Sequence, residues 1–496
     1  MRHSLNALRA ATHSRGRSVL AMLQAFTLIL PLGGCMLTGV QPEPGLDIPN
    51  SYEGATRNSK LAHAALPKLD WWRSFRSREL TSIIEQARLA NLDIAVAIAR
   101  IQQADAQARI AGAALLPAID LNGNATRVRT SQSTAAGGTS GSLGGTERDV
   151  LSASLSASYE IDFWGKNRSA LRAAEETAVA SRFDREVVGL TTVTTAANAY
   201  FSVLAAQDRL KAARDNLQNA NRVLNLIQER VSAGTASALE TAQQEAVVAT
   251  QRAAIPPLEQ TLKQNRIALA ILMARSPERV HVRGGSLDAI AVPRVTPGLP
   301  SELLAQRPDI REAEANLASA NANVENARAQ FLPSITLTGE GGYQSAVLKT
   351  LLRPESAFYT LAAGLTQPVF EAGRIQGNFD FQKGRQDELL QTYRKTVITA
   401  FGDVENALYA VRQTALRERL QRDVVTSSRR AFDISEDRFR QGTIDLVTLL
   451  QTQQTLYQAE DTLAQARLAR LQAIVSLYQA LGGGWLPKPL EASNAR

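Results

Sequence analysis

The 496-residue chain has one cysteine, four histidines and few aromatic residues, which make up 5% of the whole. One cysteine excludes an internal disulfide, and so few Cys and His leave no material for a structural zinc cage. No run of about 20 apolar residues recurs along the chain, and mean hydropathy is negative at −0.16, which excludes a polytopic helical membrane protein. Proline is missing over two long tracts, between Pro117 and Pro256 and between Pro368 and Pro487. Proline normally ends helices, so its absence over such lengths predicts long ones. Abundant Ala, Leu, Gln and Arg favour helices whose axes lie close together.

Charge has less to say than its total suggests. The formal +8 includes Arg2, Arg9, Arg15 and Arg17, in a stretch with no acid. An apolar segment from Val19 to Leu32 follows, too short for a comfortable membrane span, and Leu32-Gly33-Gly34 then precedes Cys35. This pattern resembles a bacterial lipobox, which implies a lipoprotein signal at residues 1–34, cleaved after Gly34, with a diacylglycerol on the Cys35 sulfur; a secretory signal followed by an incidental thiol is the alternative. Its removal lowers the charge to +4. The remaining cations are interspersed with acids and form no basic block, so nucleic acid is not an expected partner. Residues 35–78, with Pro42, Pro44, Pro49 and Pro67, read as an extended N-terminal segment.

The body is a tandem duplication. Ala114-Leu115-Leu116-Pro117-Ala118-Ile119 is matched by Gln330-Phe331-Leu332-Pro333-Ser334-Ile335, and Arg230-Val231-Ser232-Ala233-Gly234-Thr235 by Arg438-Phe439-Arg440-Gln441-Gly442-Thr443. The repeats cover 79–276 and 309–486, joined by a Pro-rich linker at 277–308 and followed by a tail at 487–496. The length difference between them falls in the Gly/Ser/Thr-rich stretch 130–146.

Each repeat reads helix, strand, loop, strand, long helix, turn, helix. Leu151, Ala153, Leu155, Ala157, Tyr159 and Ile161 alternate with Ser152, Ser154, Ser156, Ser158, Glu160 and Asp162, a strict period of two. Strands are expected at about 117–128, 150–162, 333–343 and 358–370. Such alternation fits a transmembrane β-barrel with a wet lumen, or an ordinary sheet with one solvated face. Four strands cannot close a barrel, and open edges are not tolerated in lipid, so several chains are expected to share one barrel. Long helices are expected at about 168–230 and 374–440, returning at about 236–274 and 444–481. Val203, Leu210, Leu217, Leu224 and Val231 recur every seven residues, with Ala206, Ala213, Ala220 and Ile227 alongside. Glu418 interrupts the corresponding line in the second repeat.

Gln306-Arg307-Pro308-Asp309-Ile310-Arg311, the continuation Ala327-Arg328-Ala329-Gln330-Phe331-Leu332-Pro333, Trp71-Trp72-Arg73-Ser74-Phe75 and Leu481-Gly482-Gly483-Gly484-Trp485 together resemble the TolC-like outer membrane factors. The similarity is greatest to the lipoprotein branch serving RND-type multidrug efflux. The resemblance implies a mainly helical fold with a β-barrel part: long antiparallel hairpins forming a trimeric α-barrel tunnel, with four strands per chain in a shared twelve-stranded transmembrane barrel. It implies a homotrimer in the outer-membrane lipid, conducting drugs and other small molecules passively from a periplasmic adaptor and inner-membrane pump. Type I protein secretion uses the same architecture and is the alternative. It also implies adaptor-docking tips at Gly234, Thr235, Gly442 and Thr443, and a constriction at Asp445, Val447, Thr448 and Gln451. A gate pair of Glu240 and Arg467 is implied as well. Several family members carry carboxylates at the places of Thr448 or Gln451, so this chain is expected to bind blocking cations weakly. Phe439 stands where some members have tyrosine. No cofactor is expected beyond the lipid. Gly165-Lys166 lacks the surroundings of a phosphate loop, no HExxH occurs, and His3, His13, His63 and His281 are scattered, so no enzyme is expected.

Overall fold

The alternating segments fold as read. In a computed structural model, describing residues 45–46, 48–49, 52–53, 68–129, 147–295, 300–483 and 485, four antiparallel strands pair in the order β1-β2-β3-β4. They are β1 (Ala118–Arg129), β2 (Glu147–Ile161), β3 (Ser334–Ser345) and β4 (Ala357–Thr366). The signal segment, Gly34, Cys35, the stretch 130–146 and the tail 487–496 lie outside the described residues.

Cross-strand register keeps the two faces distinct. Ile119 faces Ala157, which faces Gly339, which faces Leu361; beside them run Leu121, Leu155, Gly341 and Tyr359. The other face aligns Asp120, Ser156, Glu340 and Thr360. A one-residue slip would exchange these faces, so the alternation itself specifies the register. At Gly342 an added Cβ would lie 2.3 Å from the Ala153 carbonyl oxygen, so strand approach there requires glycine. β4 stops at Thr366, four residues short of the expected end, because Pro368 has no N–H for the ladder.

The described chain holds eight helices: α1 (Arg78–Ala90), α2 (Leu92–Ala113), α3 (Lys166–Ser232), α4 (Ala238–Leu272), α5 (Pro300–Gln306), α6 (Pro308–Ala329), α7 (Arg374–Arg440) and α8 (Leu446–Ala480). α3 and α7 each hold 67 residues, about 100 Å at 1.5 Å per residue. α4 and α8 each hold 35. α4 contains Pro256 and Pro257, which deprive the carbonyls one turn earlier of their amide partners. The helix continues through them, while α8 has no proline.

Contacts divide the chain into two units, and neither is a repeat. One collects residues 108–174 and 318–387; the other holds the remaining described residues. The first contains the sheet and the helix ends that leave it. There Trp164 Nε1 donates to the Pro333 carbonyl at 2.8 Å, and Asn326 Nδ2 to the Lys166 carbonyl at 2.7 Å. Both partners in each bond come from different repeats, so the duplication is interleaved.

In the second unit, Trp71 stacks on Tyr478 with centroids 4.6 Å apart, and Phe75 packs 5.1 Å from Phe201. The Pro-rich stretch 277–308 is more than a linker. Its Val280, Val282, Leu287 and Ile290 are buried with Trp71 and Phe75, and the Ala291 amide donates to the Phe75 carbonyl at 3.1 Å. Apolar residues spaced too irregularly for a helix or strand gave no sign of this in sequence. Arg307 binds Asp309 at 2.6 Å, Asp403 at 3.1 Å and the Ala480 carbonyl at 3.2 Å. The motif that carries the resemblance is therefore a half-buried crosslink between α6, α7 and α8.

The paired turns and the exposed face beside them

The two long helices end in the same way. Gly234 and Gly442 adopt φ of +73° and +72°. Gly234 N–H donates to Val231 O at 2.9 Å and Thr235 N–H to Arg230 O at 2.8 Å; Gly442 and Thr443 repeat this with Phe439 and Arg438, each at 3.0 Å. This is the Schellman termination, in which a left-handed residue satisfies the last carbonyls. Each threonine hydroxyl adds a bond to the same carbonyl, Thr235 at 3.0 Å and Thr443 at 3.1 Å. A side chain at either glycine would meet open space, so backbone conformation alone selects glycine.

The return helices start differently. Ser237 and Glu240 form a reciprocal capping box at α4: Glu240 N–H donates to Ser237 Oγ at 3.4 Å, and Ser237 N–H to Glu240 Oε2 at 2.6 Å. At the start of α8 Asp445 is the cap, accepting from Thr448 N–H at 2.8 Å. The Thr448 hydrogen bond holds the Asp445 carboxyl below its ordinary value. Thr448 occupies the place in the second repeat that Glu240 occupies in the first. Next to Asp445, the side chains of Val447, Thr448 and Gln451 are exposed on one face of α8, while Leu446 and Leu449 are buried on the other.

The turns are fastened to each other. Arg230 lies 4.6 Å over the Phe439 ring and donates to the Phe439 carbonyl at 3.1 Å. Arg222 holds Glu436 by two bonds of 3.1 and 2.9 Å, and Arg440 adds a third at 2.8 Å. The Tyr457 hydroxyl donates to Asn216 O at 3.0 Å and accepts from Gln453 at 2.8 Å. Val223, Ile227, Phe432 and Phe439 close a small apolar core behind them. Phe439 packs well without a hydroxyl, its ring serving as the platform for Arg230.

One expected pairing is corrected. Glu240 and Arg467 do not meet, because Glu240 sits in the first turn of α4 while Arg467 lies six turns into α8. Glu240 is occupied by its capping box. Arg467 instead binds Asp288 at 2.9 Å and lies 3.8 Å from Glu418.

Residues 83–275 and 299–483 match the outer membrane efflux protein family. The chain belongs to that family. It is 41% identical over 465 residues to the pyoverdine export outer membrane protein OpmQ of Pseudomonas aeruginosa, covering 93% of this chain and 97% of that one. It is 31% identical to the toluene efflux pump outer membrane protein TtgC of Pseudomonas putida, covering 93% and 95%. Among solved structures it superposes on the CmeC outer membrane channel of Campylobacter jejuni with a TM-score of 0.84 at 26% identity, covering 91% and 95%. The open-state MtrE channel of Neisseria gonorrhoeae gives 0.77 at 29%, covering 90% and 98%. The protein is an outer membrane channel of the efflux type.

Sequence reading missed a buried polar centre of this efflux channel. Glu418, only noted as a break in the seam, is buried and binds Arg422 at 2.7 Å and Arg470 at 2.8 Å, with Arg467 close by. The neighbouring Asp208 carboxyl accepts from Leu287 N–H at 2.9 Å and Ser286 Oγ at 3.1 Å, and burial pushes its pKa up. An acid at a seam position, with Arg467 and Arg470 one turn apart on the partner helix, was the available signal.

Proposed function

We propose that three copies of the chain assemble so that their strands close one twelve-stranded barrel in the outer membrane and their hairpins form one periplasmic tunnel. The observation that carries this reading is the unfinished sheet. Among the described residues β1 and β4 are both unpaired edges, and their apolar face is bare: Leu121 is 80% exposed, Tyr359 83% and Leu361 79%. Lipid covers such a face, but open edges in lipid leave backbone N–H and C=O groups unsatisfied. β4 of one copy pairing with β1 of the next removes both edges.

The cargo is small molecules, driven by an inner-membrane pump and delivered through a periplasmic adaptor that docks on the Gly234 and Gly442 turns. Similarity to the OpmQ pyoverdine exporter supports a secreted siderophore as one cargo, and similarity to TtgC supports apolar toxicants. Val447, Thr448 and Gln451 line the narrowest part, and a lipid on Cys35 anchors the N-terminus. Deleting the gene should lower siderophore in the medium and raise sensitivity to antibiotics and solvents. Unchanged values for both, together with the loss of one secreted polypeptide, would overturn small-molecule efflux in favour of protein secretion.

A further inference from the structure

The two ends of the sheet differ. The helices join it at Ala118, Ile161, Ser334 and Thr366, and the two hairpin connections lie at the opposite end, which faces outward when the helices point to the periplasm. The connection 346–356, between β3 and β4, is held in shape by its own hydrogen bonds. Ser345 Oγ lies 2.6 Å from Thr350 Oγ1 and accepts from Val347 N–H at 3.2 Å. Thr350 Oγ1 donates to the Val347 carbonyl at 3.0 Å, and Ser356 Oγ donates to the Thr350 carbonyl at 2.8 Å. Short turns at Leu348–Thr350 and Pro354–Ser356 complete the loop.

Its hydroxyls are turned onto its own backbone, and its apolar side chains are left bare. Val347 is 57% exposed, Leu348 73% and Leu352 77%. A single exposed leucine is ordinary, but three large apolar residues within six positions of a fixed loop mark a contact surface. Lys349 and Arg353 stand among them, both exposed, and form no ion pair among the described residues. Glu355, the one acid of the loop, binds neither. The adjoining β1–β2 hairpin does the opposite with its cations: Arg127 binds Glu147 at 2.6 Å and Asp149 at 3.6 Å, and Arg129 lies 3.8 Å from Glu147.

We propose that the β3–β4 loop binds the phosphorylated glycolipid of the outer leaflet, Lys349 and Arg353 taking its phosphates while Val347, Leu348 and Leu352 dip among its acyl chains. The height is right for this. Tyr343 and Tyr359 lie on the apolar face near the outer ends of β3 and β4, where amphipathic aromatic residues mark the edge of the hydrocarbon. Ser345, the last residue of β3, is two residues beyond Tyr343, about 7 Å along a strand, so the loop begins at the level of the headgroups. Charge selects the occupant. Long basic side chains reach phosphate from an apolar footing, which suits an anionic lipid. A second copy of the loop would bring the same two cations and repel them.

The inference rests on the shared barrel proposed above, and the test separates the two. Native mass spectrometry of the full-length protein in detergent counts both chains and bound lipid. The probes are lipid A with two phosphates, the same molecule without phosphate, and phosphatidylglycerol. The expected result is a trimer that retains lipid A, with Lys349→Ala plus Arg353→Ala weakening binding about thirtyfold, since each cation near an anionic surface contributes about fivefold. Lipid A without phosphate should bind the parent protein and the variant alike. A trimer that binds lipid A equally well in both overturns the inference and leaves the barrel standing. Phosphatidylglycerol held as tightly as lipid A overturns the choice of lipid, and single chains without lipid overturn both readings. As a second arm, a membrane-impermeant maleimide applied to intact cells should label Glu355→Cys quickly and Leu352→Cys slowly. Equal rates would place Leu352 in water, and a disulfide between Leu352→Cys copies would give the face to a second copy; either rejects the proposal.

Discussion

The guanidinium of Arg230, near the end of the first long helix, lies 4.6 Å over the ring of Phe439, near the end of the second, and bonds that residue's carbonyl at 3.1 Å. One side chain thus ties together two turns more than two hundred residues apart in sequence. A guanidinium on an aromatic face contributes about 0.5–1 kcal/mol at a partly exposed site, and its bond to the carbonyl adds to that. Arg230→Ala should loosen the turns. Faster hydrogen exchange at the Gly442 and Thr443 amides and a higher resting conductance in planar bilayers are expected. Unchanged exchange would show that the apolar core behind them holds the turns alone.

Glu418 is buried against three arginines, and two of them, Arg422 and Arg470, form no other ion pair among the described residues. Removing one partner of a buried ion network leaves uncompensated charge and typically costs about 3–5 kcal/mol. The outer ends of Arg422 and Arg470 reach solvent, which argues for the lower end, about 3 kcal/mol. Glu418→Gln should lower the thermal midpoint clearly, and Glu418→Leu with Arg470→Leu should recover part of the loss. A midpoint equal to that of the parent protein in Glu418→Gln would mean that the arginines are held by water and not by the carboxylate.

Asp445 caps α8, and neither Thr448 nor Gln451 adds a carboxylate beside it. Trivalent cations at millimolar concentration should therefore block the reconstituted channel weakly. Because Asp445 titrates below its ordinary value, its capping contribution is present above the carboxylate range and is lost as pH falls through that lowered value. Asn can cap as well as Asp, so Asp445→Asn should leave the thermal midpoint near the parent value while Asp445→Ala lowers it. Tight block that survives Asp445→Asn would contradict this account of the constriction.

Glu312 on α6 makes stability depend on pH. Burial, then the carboxylates of Asp184 and Asp309, push its pKa from 4.5 up to about 7. The folded protein therefore holds a proton through that window which the unfolded chain has released. Stability contributed by protonated Glu312 is fully present below about 4.5 and is lost as pH rises through about 7. Glu312→Gln should flatten this part of the profile and stabilise the protein at pH 8. Thermal unfolding measured from pH 5 to pH 8 checks both, and parallel profiles for the two proteins would refute it.

The lipidation proposed for Cys35 has a simple biochemical test. Cells given labelled palmitate should label the parent protein, and Cys35→Ser should lose the label and retain residues 1–34. Label retained in Cys35→Ser would exclude this residue as the acceptor.

The strands, the long helices and the two turns were legible in the sequence because each depends on local chemistry. Alternation of Leu151 to Ile161 with serines sets the faces of β2 whatever lies next to it. Gly234 and Gly442 mark helix ends because only they take positive φ without strain. Long tracts without proline permit helices of 67 residues. None of this reveals which distant side chains meet. Stretch 277–308, read as a linker, became part of the core through Val282, Leu287 and Ile290, residues with no period to announce them.

Pairings depend on height along packed helices, which the sequence does not carry. Glu240 and Arg467, a pair that the resemblance implies, lie about five turns apart, and each has a neighbour at its own level. Glu418 looked like a defect in an apolar seam until α8 brought Arg467 and Arg470 to it. Local propensity and period determined the elements of this outer membrane channel. Only tertiary structure decided the electrostatics, because burial turns an exposed charge of little energetic weight into one that must be paired.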